Sequence, residues 1–134
     1  MIFGIGSDIV EIKRIEELLN KFGSKFIERI FTKNEQEKAL KLSTPVSHLA
    51  KRFAAKEAFV KALGTCIDQG ISWKDIEVIN LASGKPELVL YGKARQLLEK
   101  KAPDPALVAV HLSLSDSKQY ALAVVVIEIR EKNQ

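Results

Sequence analysis

The chain has 134 residues, 46% of them hydrophobic, and a formal net charge of +4. This length and composition predict one globular domain over residues 1–134, and the mild positive charge suits an anionic small molecule or an acidic protein partner. Nucleic-acid binding is disfavoured because acidic residues interleave with the basic ones and no aromatic platform accompanies them. No stretch of the sequence approaches the roughly 18 consecutive apolar residues of a membrane span.

Cysteine and histidine are scarce in this chain. Cys66 is the only cysteine, which excludes an internal disulfide and fits a reducing, cytoplasmic location. The first residues read directly into a strand, without the basic region or cleavage site of a signal peptide. The two histidines and the cysteine lie far apart and lack the spacing of zinc ligands. A metal bound here would therefore need oxygen ligands.

The first half of the chain predicts one strand followed by four helices. Residues 2–10 read as the strand, and apolar residues then recur at helical spacing over 12–22. A short helix follows at 26–30, and a capping box opens a third helix at 32–42. The fourth and longest helix covers 46–64 and ends at a glycine suited to a C-cap.

The second half changes to the two-residue period of strands. Four strands are predicted, at residues 76–81, 88–91, 107–115 and 120–129. A turn at 82–86 joins the first two, and a short helix around 94–98 precedes the third. The expected fold class is therefore α+β, with an antiparallel sheet and a long central helix.

Glu57 stands in the apolar stripe of the longest helix, between Phe53 and Val60. Burying a carboxylate is costly unless it is paired, hydrogen-bonded or bound to a metal. The position therefore indicates either a functional carboxylate or a half-buried ion pair with Lys61, four residues further on. Lys61 follows along the same edge of the helix, where a substrate anion could meet it. The helix alone leaves both interpretations open.

A second carboxylate, Asp8, stands near the end of the first strand and shares a face with Gly4 and Gly6. Glycines in a strand leave room for a ligand or another backbone to approach closely. Asp8 is therefore either a ligand at an open position or the N-cap of the helix that starts near Glu11, since aspartate is a favoured N-cap.

The predicted strand at 107–115 alternates strictly between an apolar and a narrow polar face. His111, Ser113 and Ser115 lie on the polar face. This face is either the solvent side of an edge strand or a row of hydrogen-bond donors for phosphate oxygens.

Four segments together resemble a known family, the bacterial holo-[acyl-carrier-protein] synthases of the 4′-phosphopantetheinyl transferase superfamily. They are GSDIVEIKRI at 6–15, RFAAKEAFVKALGT at 52–65, GKP at 84–86 and HLSLSD at 111–116. The resemblance is collinear over nearly the whole chain, and the four motifs in this order and spacing are highly specific.

The resemblance implies a fold, a reaction and partners. The fold is that of the 4′-phosphopantetheinyl transferases. The reaction is the Mg²⁺-dependent transfer of 4′-phosphopantetheine from coenzyme A to a serine of apo acyl carrier protein, with release of adenosine 3′,5′-bisphosphate, in fatty acid biosynthesis. The family forms cytoplasmic homotrimers whose active sites are shared between neighbouring subunits.

The resemblance also assigns roles to individual residues. Asp8 and Glu57 are the implied Mg²⁺ ligands, Glu57 and Lys61 the implied catalytic residues, and Arg14 the implied docking residue for the carrier protein. The implied substrate-binding residues are Arg52, Gly64, Lys85, Pro86, His111 and Ser113. Two other classes use the same residues: a Mg²⁺-dependent hydrolase of nucleotide pyrophosphates, and a binding module whose carboxylates are structural.

Overall fold

The computed structural model describes residues 1–67 and 70–132. Its helices are α1 (Ile12–Phe22), α2 (Ser24–Ile30), α3 (Lys33–Leu40), α4 (Pro45–Leu63) and α5 (Gly92–Glu99). Its strands are β1 (Ile2–Glu11), β2 (Ile76–Asn80), β3 (Pro86–Leu90), β4 (Val108–Asp116) and β5 (Tyr120–Ile129). The predicted elements and the α+β class are confirmed, with some ends displaced by a few residues, as is usual for helix and strand boundaries.

The strands form two antiparallel sheets in the described part of the chain. One has the order β1-β5-β4, and the other is the β2-β3 hairpin. In the larger sheet Asp8 is opposite Ala123, which is opposite Leu114 on β4. Because residues directly opposite one another point to the same side, these three side chains share one face of the sheet.

The long helix α4 packs against that face and is the centre of the core. It begins with Pro45 in its first turn and ends at Gly64, whose φ of 82° is the left-handed conformation that terminates many helices. Buried side chains occur nearly all round it rather than on one stripe. The predicted one-sided stripe was therefore too simple, since Phe53 is only half-buried and stacks on Trp73 with ring centroids 5.1 Å apart.

A buried ion pair between Lys56 and Glu35 fastens α4 to α3. Both side chains are 0% exposed, and their charged atoms are 2.7 Å apart. Glu35 also accepts hydrogen bonds from the backbone N–H groups of Thr32 and Val78, both at 2.9 Å. The capping box predicted at Thr32 is confirmed, but its glutamate also ties the start of α3 to β2.

None of the helices in residues 1–67 and 70–132 has both the length and the apolar character needed to cross a membrane.

Candidate active site

Two glycines of β1 let the backbone of α4 approach unusually closely. A Cβ atom added to Gly6 would lie 1.9 Å from the carbonyl oxygen of Ala58, and one added to Gly4 would lie 1.9 Å from that of Ala62. Real Cβ atoms do not reach such distances, so only glycine fits at either position. The glycines of β1 thus make room for another backbone, which was one of the two possibilities that the sequence allowed. Its approach places Glu57 of α4 beside Asp8 of β1.

Asp8 is bonded to Lys61 rather than to the start of α1. Its Oδ1 accepts a hydrogen bond from Lys61 Nζ at 3.1 Å, and the same ammonium donates to the backbone carbonyl of Ser7 at 3.1 Å. Helix α1 has Glu11 as its N-cap and no side-chain capping bond. The capping interpretation of Asp8 is therefore wrong. Asp8 remains 17% exposed, so one approach to the carboxylate is open.

Glu57 is half-buried, and its charge is held among three others. Burial raises its pKa most, the neighbouring Asp8 carboxylate raises it further, and Lys61 and Arg14 lower it. Lys61 forms its ion pair with Asp8, not with Glu57. The interpretation of Glu57 as a simple partner of Lys61 is therefore wrong: the charges that act on Glu57 are one carboxylate, Asp8, and two cations, Lys61 and Arg14.

The Asp8–Glu57 pair has the chemistry of an incomplete cation site. Asp8 raises the pKa of Glu57, so a cation bound between the two carboxylates would stabilise the ionised form of Glu57. Within residues 1–67 and 70–132, no group of three or more His, Cys, Asp or Glu side chains is placed to hold a metal. A metal at this pair would therefore take its remaining ligands from water or substrate, as Mg²⁺ commonly does.

Arg52 lies inside the protein rather than on a substrate surface. It is only 2% exposed, and its Nη2 donates to the side-chain oxygen of Asn80 at 2.8 Å. Burial lowers its pKa, while the carboxylates of Glu35 and Glu77 raise it. The acceptor, Asn80, is the last residue of β2; two other predicted residues lie just beyond it, Lys85 in the turn that follows and Pro86 at the start of β3.

Lys85 and His111 line one cleft of about 640 Å³ between β3, α5 and β4. Arg95 and Arg130 lie along the same cleft, together with the carboxylates of Glu87 and Glu99, so its walls carry both cations and anions. His111 Nε2 is 3.0 Å from Oε1 of Glu128 on β5. Pro86 opens β3, directly after Lys85. These residues form a second group, separate from Asp8 and Glu57.

The remaining predicted residues lie at the end of α4 and on the outer face of the sheet. Gly64 is the C-cap of α4 and borders a recess of about 290 Å³ together with Lys93 and Lys101. Ser113 points away from α4 and is exposed, like His111. The polar strand face is therefore confirmed as a surface turned away from the core.

Sequence reasoning missed the apolar character of this outer face. On β1, Ile5 is 66% exposed and Ile9 is 64% exposed. On β5, the residues opposite Ile9 and Ile5 are Leu122 and Val126, so their side chains lie on the same face. Val124, between them, also lies on this face. The signal was present in β5, whose apolar residues do not alternate with polar ones, a pattern typical of strands covered on both faces.

Comparisons with known proteins agree on one family. The family model of the 4′-phosphopantetheinyl transferase superfamily matches residues 4–125. A holo-[acyl-carrier-protein] synthase of Bartonella quintana is 48% identical over 128 residues, which cover 96% of each chain. One from Rhizobium leguminosarum bv. trifolii is 47% identical over the same length and coverage.

Solved structures of two such synthases have the same fold. The structure from Neisseria meningitidis is 45% identical, with a TM-score of 0.83, and the match covers 96% of this chain and 99% of that one. The structure from Bacillus anthracis, in complex with CoA (3′,5′-ADP), is 44% identical, with a TM-score of 0.78 and coverage of 96% and 98%.

Proposed function

The chain belongs to the 4′-phosphopantetheinyl transferase superfamily, and we propose that its reaction takes place where Asp8, Glu57 and Lys61 meet. The enzyme transfers 4′-phosphopantetheine from coenzyme A to a serine of apo acyl carrier protein and releases adenosine 3′,5′-bisphosphate. The observation that carries the site is the pair of carboxylates that the contacts of Gly6 with α4 bring together.

The donor set at this pair fits Mg²⁺. This ion prefers oxygen ligands, retains several waters and is commonly held by one or two carboxylates plus substrate phosphates. Asp8 and Glu57 supply the two carboxylates, and their repulsion favours a cation. When bound, Mg²⁺ neutralises negative charge on the pyrophosphate and its leaving group.

Glu57 and Lys61 supply the other two catalytic roles, proton acceptance and stabilisation of the leaving group. A bond forms between the serine oxygen of the carrier and the phosphorus next to pantetheine, and the bond from that phosphorus to the departing bisphosphate breaks. Glu57, directly or through a water, accepts the proton of the serine hydroxyl. The Lys61 ammonium, half-exposed and already in contact with Asp8, faces the negative charge of the leaving group.

Incubation of purified apo carrier protein with coenzyme A and Mg²⁺, followed by intact mass spectrometry, tests this function. The expected result is a gain of one phosphopantetheine group on the carrier and release of adenosine 3′,5′-bisphosphate. A pyrophosphate hydrolase would cleave coenzyme A without any carrier, and a binding module would change neither molecule. Either of those results would overturn the proposal.

The outer sheet face supports assembly into a homotrimer. Contiguous exposed apolar surface of this kind marks an interface on most soluble proteins, and oligomers of one chain close by rotational symmetry. The same face carries His111 and Ser113, whereas Asp8 and Glu57 lie on the side that α4 covers. We therefore place a neighbouring copy of this chain against the outer face.

Such an assembly joins the two groups of predicted residues. In one chain, Lys85 and His111 line a cleft that Asp8 and Glu57 do not border. A substrate as long as coenzyme A would place its pyrophosphate at the carboxylates of one subunit and its nucleotide over the cleft of the next, where Lys85 and His111 lie. The site is therefore shared between subunits.

A line of residues on α1 supports docking of the carrier protein beside the carboxylates. Arg14 lies near enough to lower the pKa of Glu57, and Leu18 and Phe22 follow at four-residue spacing along the same line of the helix. They lead into an apolar groove of about 480 Å³ whose rim carries Lys25 and Arg29. An apolar groove with a cationic rim suits an acidic helix with an apolar stripe.

Arg14→Ala is expected to raise the KM for carrier protein by up to about fivefold, because an exposed ion pair contributes up to about 1 kcal/mol. The KM for coenzyme A should not change. The difference from the wild type should shrink with added salt, since exposed charges are screened over about 10 Å at 0.1 M. Steady-state kinetics at two salt concentrations measure this, with Lys100→Ala on the surface after α5 as the charge-matched control. An unchanged dependence on carrier at low salt would contradict the assignment.

A further inference from the structure

Asn80, the last residue of β2, connects α4 to the turn that carries Lys85. Its side-chain oxygen accepts hydrogen bonds from Arg52 Nη2 and from Lys38 Nζ, each at 2.8 Å. Its side-chain nitrogen donates to the backbone carbonyl of Gly84 at 3.0 Å. One amide thus bridges a buried cation of the central helix and the backbone of residues 81–85, here called the β2–β3 turn.

The partners fix the orientation of this amide. Arg52 and Lys38 carry only donors, so the oxygen of Asn80 must face them, and its nitrogen must then face the carbonyl of Gly84. An aspartate would place an oxygen against that carbonyl, and an alanine would reach neither partner. Asparagine therefore both accepts from the two cations and donates to the Gly84 carbonyl, whereas an aspartate of the same size could only accept.

The buried Arg52 depends on this bond. Within the described part of the chain, its Nε is buried without a hydrogen-bond partner, so the bond to Asn80 orients a guanidinium that is otherwise held by the charges of Glu35 and Glu77. Arg52 is five residues before Glu57 on α4, a rigid helix fixed on the other side by the contacts of Gly6. The β2–β3 turn is thereby held in register with the helix that carries the catalytic carboxylate.

The turn has little else to fix its outer end. Its backbone is closed by bonds from Leu81 N–H to the Lys85 carbonyl at 2.9 Å and from Gly84 N–H to the Leu81 carbonyl at 2.8 Å. Gly84 has a φ of 90°, so the turn reverses sharply at the residue that Asn80 holds. These local bonds set the shape of the turn, but they do not set its position relative to α4.

We propose that Asn80 is a positioning residue for coenzyme A: through Arg52 and the Gly84 carbonyl it holds the β2–β3 turn so that Lys85 and Pro86 meet the nucleotide. This inference rests on the proposed function, in which the cleft lined by Lys85 binds the nucleotide. Arg52, predicted to contact the substrate, acts here through Asn80.

Two substitutions of Asn80 test its hydrogen bonds. Asn80→Asp keeps an acceptor for Arg52 and Lys38 but loses the donor to Gly84, and Asn80→Ala loses both. Each should raise the KM for coenzyme A by about fivefold to tenfold, the range expected from a lost hydrogen bond, and leave the KM for carrier protein and the kcat at saturating substrate within about twofold. Asn20→Ala, the same change on the exposed surface of α1, is the matched control and should behave as the wild type.

Hydrogen exchange separates positioning from general destabilisation. In both Asn80 variants the amides of Gly84 and Lys85 should exchange faster, while the amides of α4 keep their protection. If Asn80→Ala does not fold, Asn80→Asp still carries the test, because it retains the anchor of Arg52. An unchanged KM for coenzyme A in the folded Asn80 variants would overturn the inference, and so would unchanged exchange at the turn.

Lys85→Ala distinguishes this failure from a failure of the proposed site. If Lys85→Ala raises the KM for coenzyme A and the Asn80 variants do not, the positioning role alone is wrong. If Lys85→Ala also leaves that KM unchanged, the turn does not contact the nucleotide, and both the site assignment and the role of Asn80 fall.

Discussion

Glu57→Gln is expected to lower phosphopantetheine transfer by about 100- to 1,000-fold, since metal-assisted charge neutralisation contributes several kcal/mol to such reactions. Gln keeps the size of Glu57 but binds a hard cation poorly and accepts no proton. Asp8→Asn should have a comparable effect, because it removes the other carboxylate of the pair. Both variants should also bind Mg²⁺ more weakly in calorimetric titrations, a readout that does not depend on turnover.

Glu57→Gln should leave the unfolding temperature of the protein unchanged or raise it. The pKa of Glu57 is raised by burial and by Asp8; its protonated form is therefore favoured in the folded state, and the ionised form weakens folding as the pH rises through that pKa. At neutral pH a permanently neutral Gln relieves this repulsion. Glu37→Gln, on the exposed side of α3, is the control for a lost surface carboxylate. Near-normal turnover of Glu57→Gln at saturating Mg²⁺ would contradict the assignment.

Gly6→Ala is expected to destabilise the fold by about 3 kcal/mol or more, because it forces a methyl group into the backbone of α4. For a chain of this size that corresponds to a fall of roughly 10 °C in the unfolding temperature. The strain can be relieved only by moving α4 away from β1, which separates Glu57 from Asp8. Transfer should therefore fall about tenfold or more even below the unfolding temperature, since small displacements of catalytic groups are costly.

Thermal unfolding and single-temperature kinetics measure the two effects of Gly6→Ala. Ser43→Ala, in the exposed segment before α4, removes a hydroxyl without adding volume and should change neither. A Gly6→Ala protein with the wild-type unfolding temperature would show that the helix backbone does not press on this position.

The elements of this fold were predictable because their signals are local. The capping box at Thr32 and the glycine at position 64 each act within a few residues of themselves. The strict alternation in β4 likewise gave the correct division of its two faces.

The contacts between distant segments were not predictable in the same way. Lys56 and Glu35 are 21 residues apart and meet only because α3 packs against α4. The position of Lys56 in the helical pattern of α4 therefore gave no sign that its side chain is buried. Asn80 lay within the predicted strand at 76–81 without any feature that marked it, and its three partners come from α3, α4 and the turn. The side of α4 that Asp8 faces depended on the approach of Gly6, which the sequence allowed without specifying.

Subunits carrying different lesions test the shared active site most directly. Glu57→Gln and His111→Ala proteins should each be nearly inactive alone, and mixing requires subunit exchange, checked by native mass spectrometry of differently tagged chains. In a 1:1 random mixture, a site that takes Glu57 from one subunit and His111 from its neighbour is intact in about one quarter of cases.

The control is a chain carrying both lesions, exchanged 1:1 with the wild type. A shared site predicts about one quarter of wild-type activity in both mixtures. A site built within one subunit predicts no recovery in the first mixture and about one half in the second. Recovery of about one quarter in each, once exchange is verified, is the expected result; no recovery from the two single variants, with half the activity in the control, would contradict the shared site.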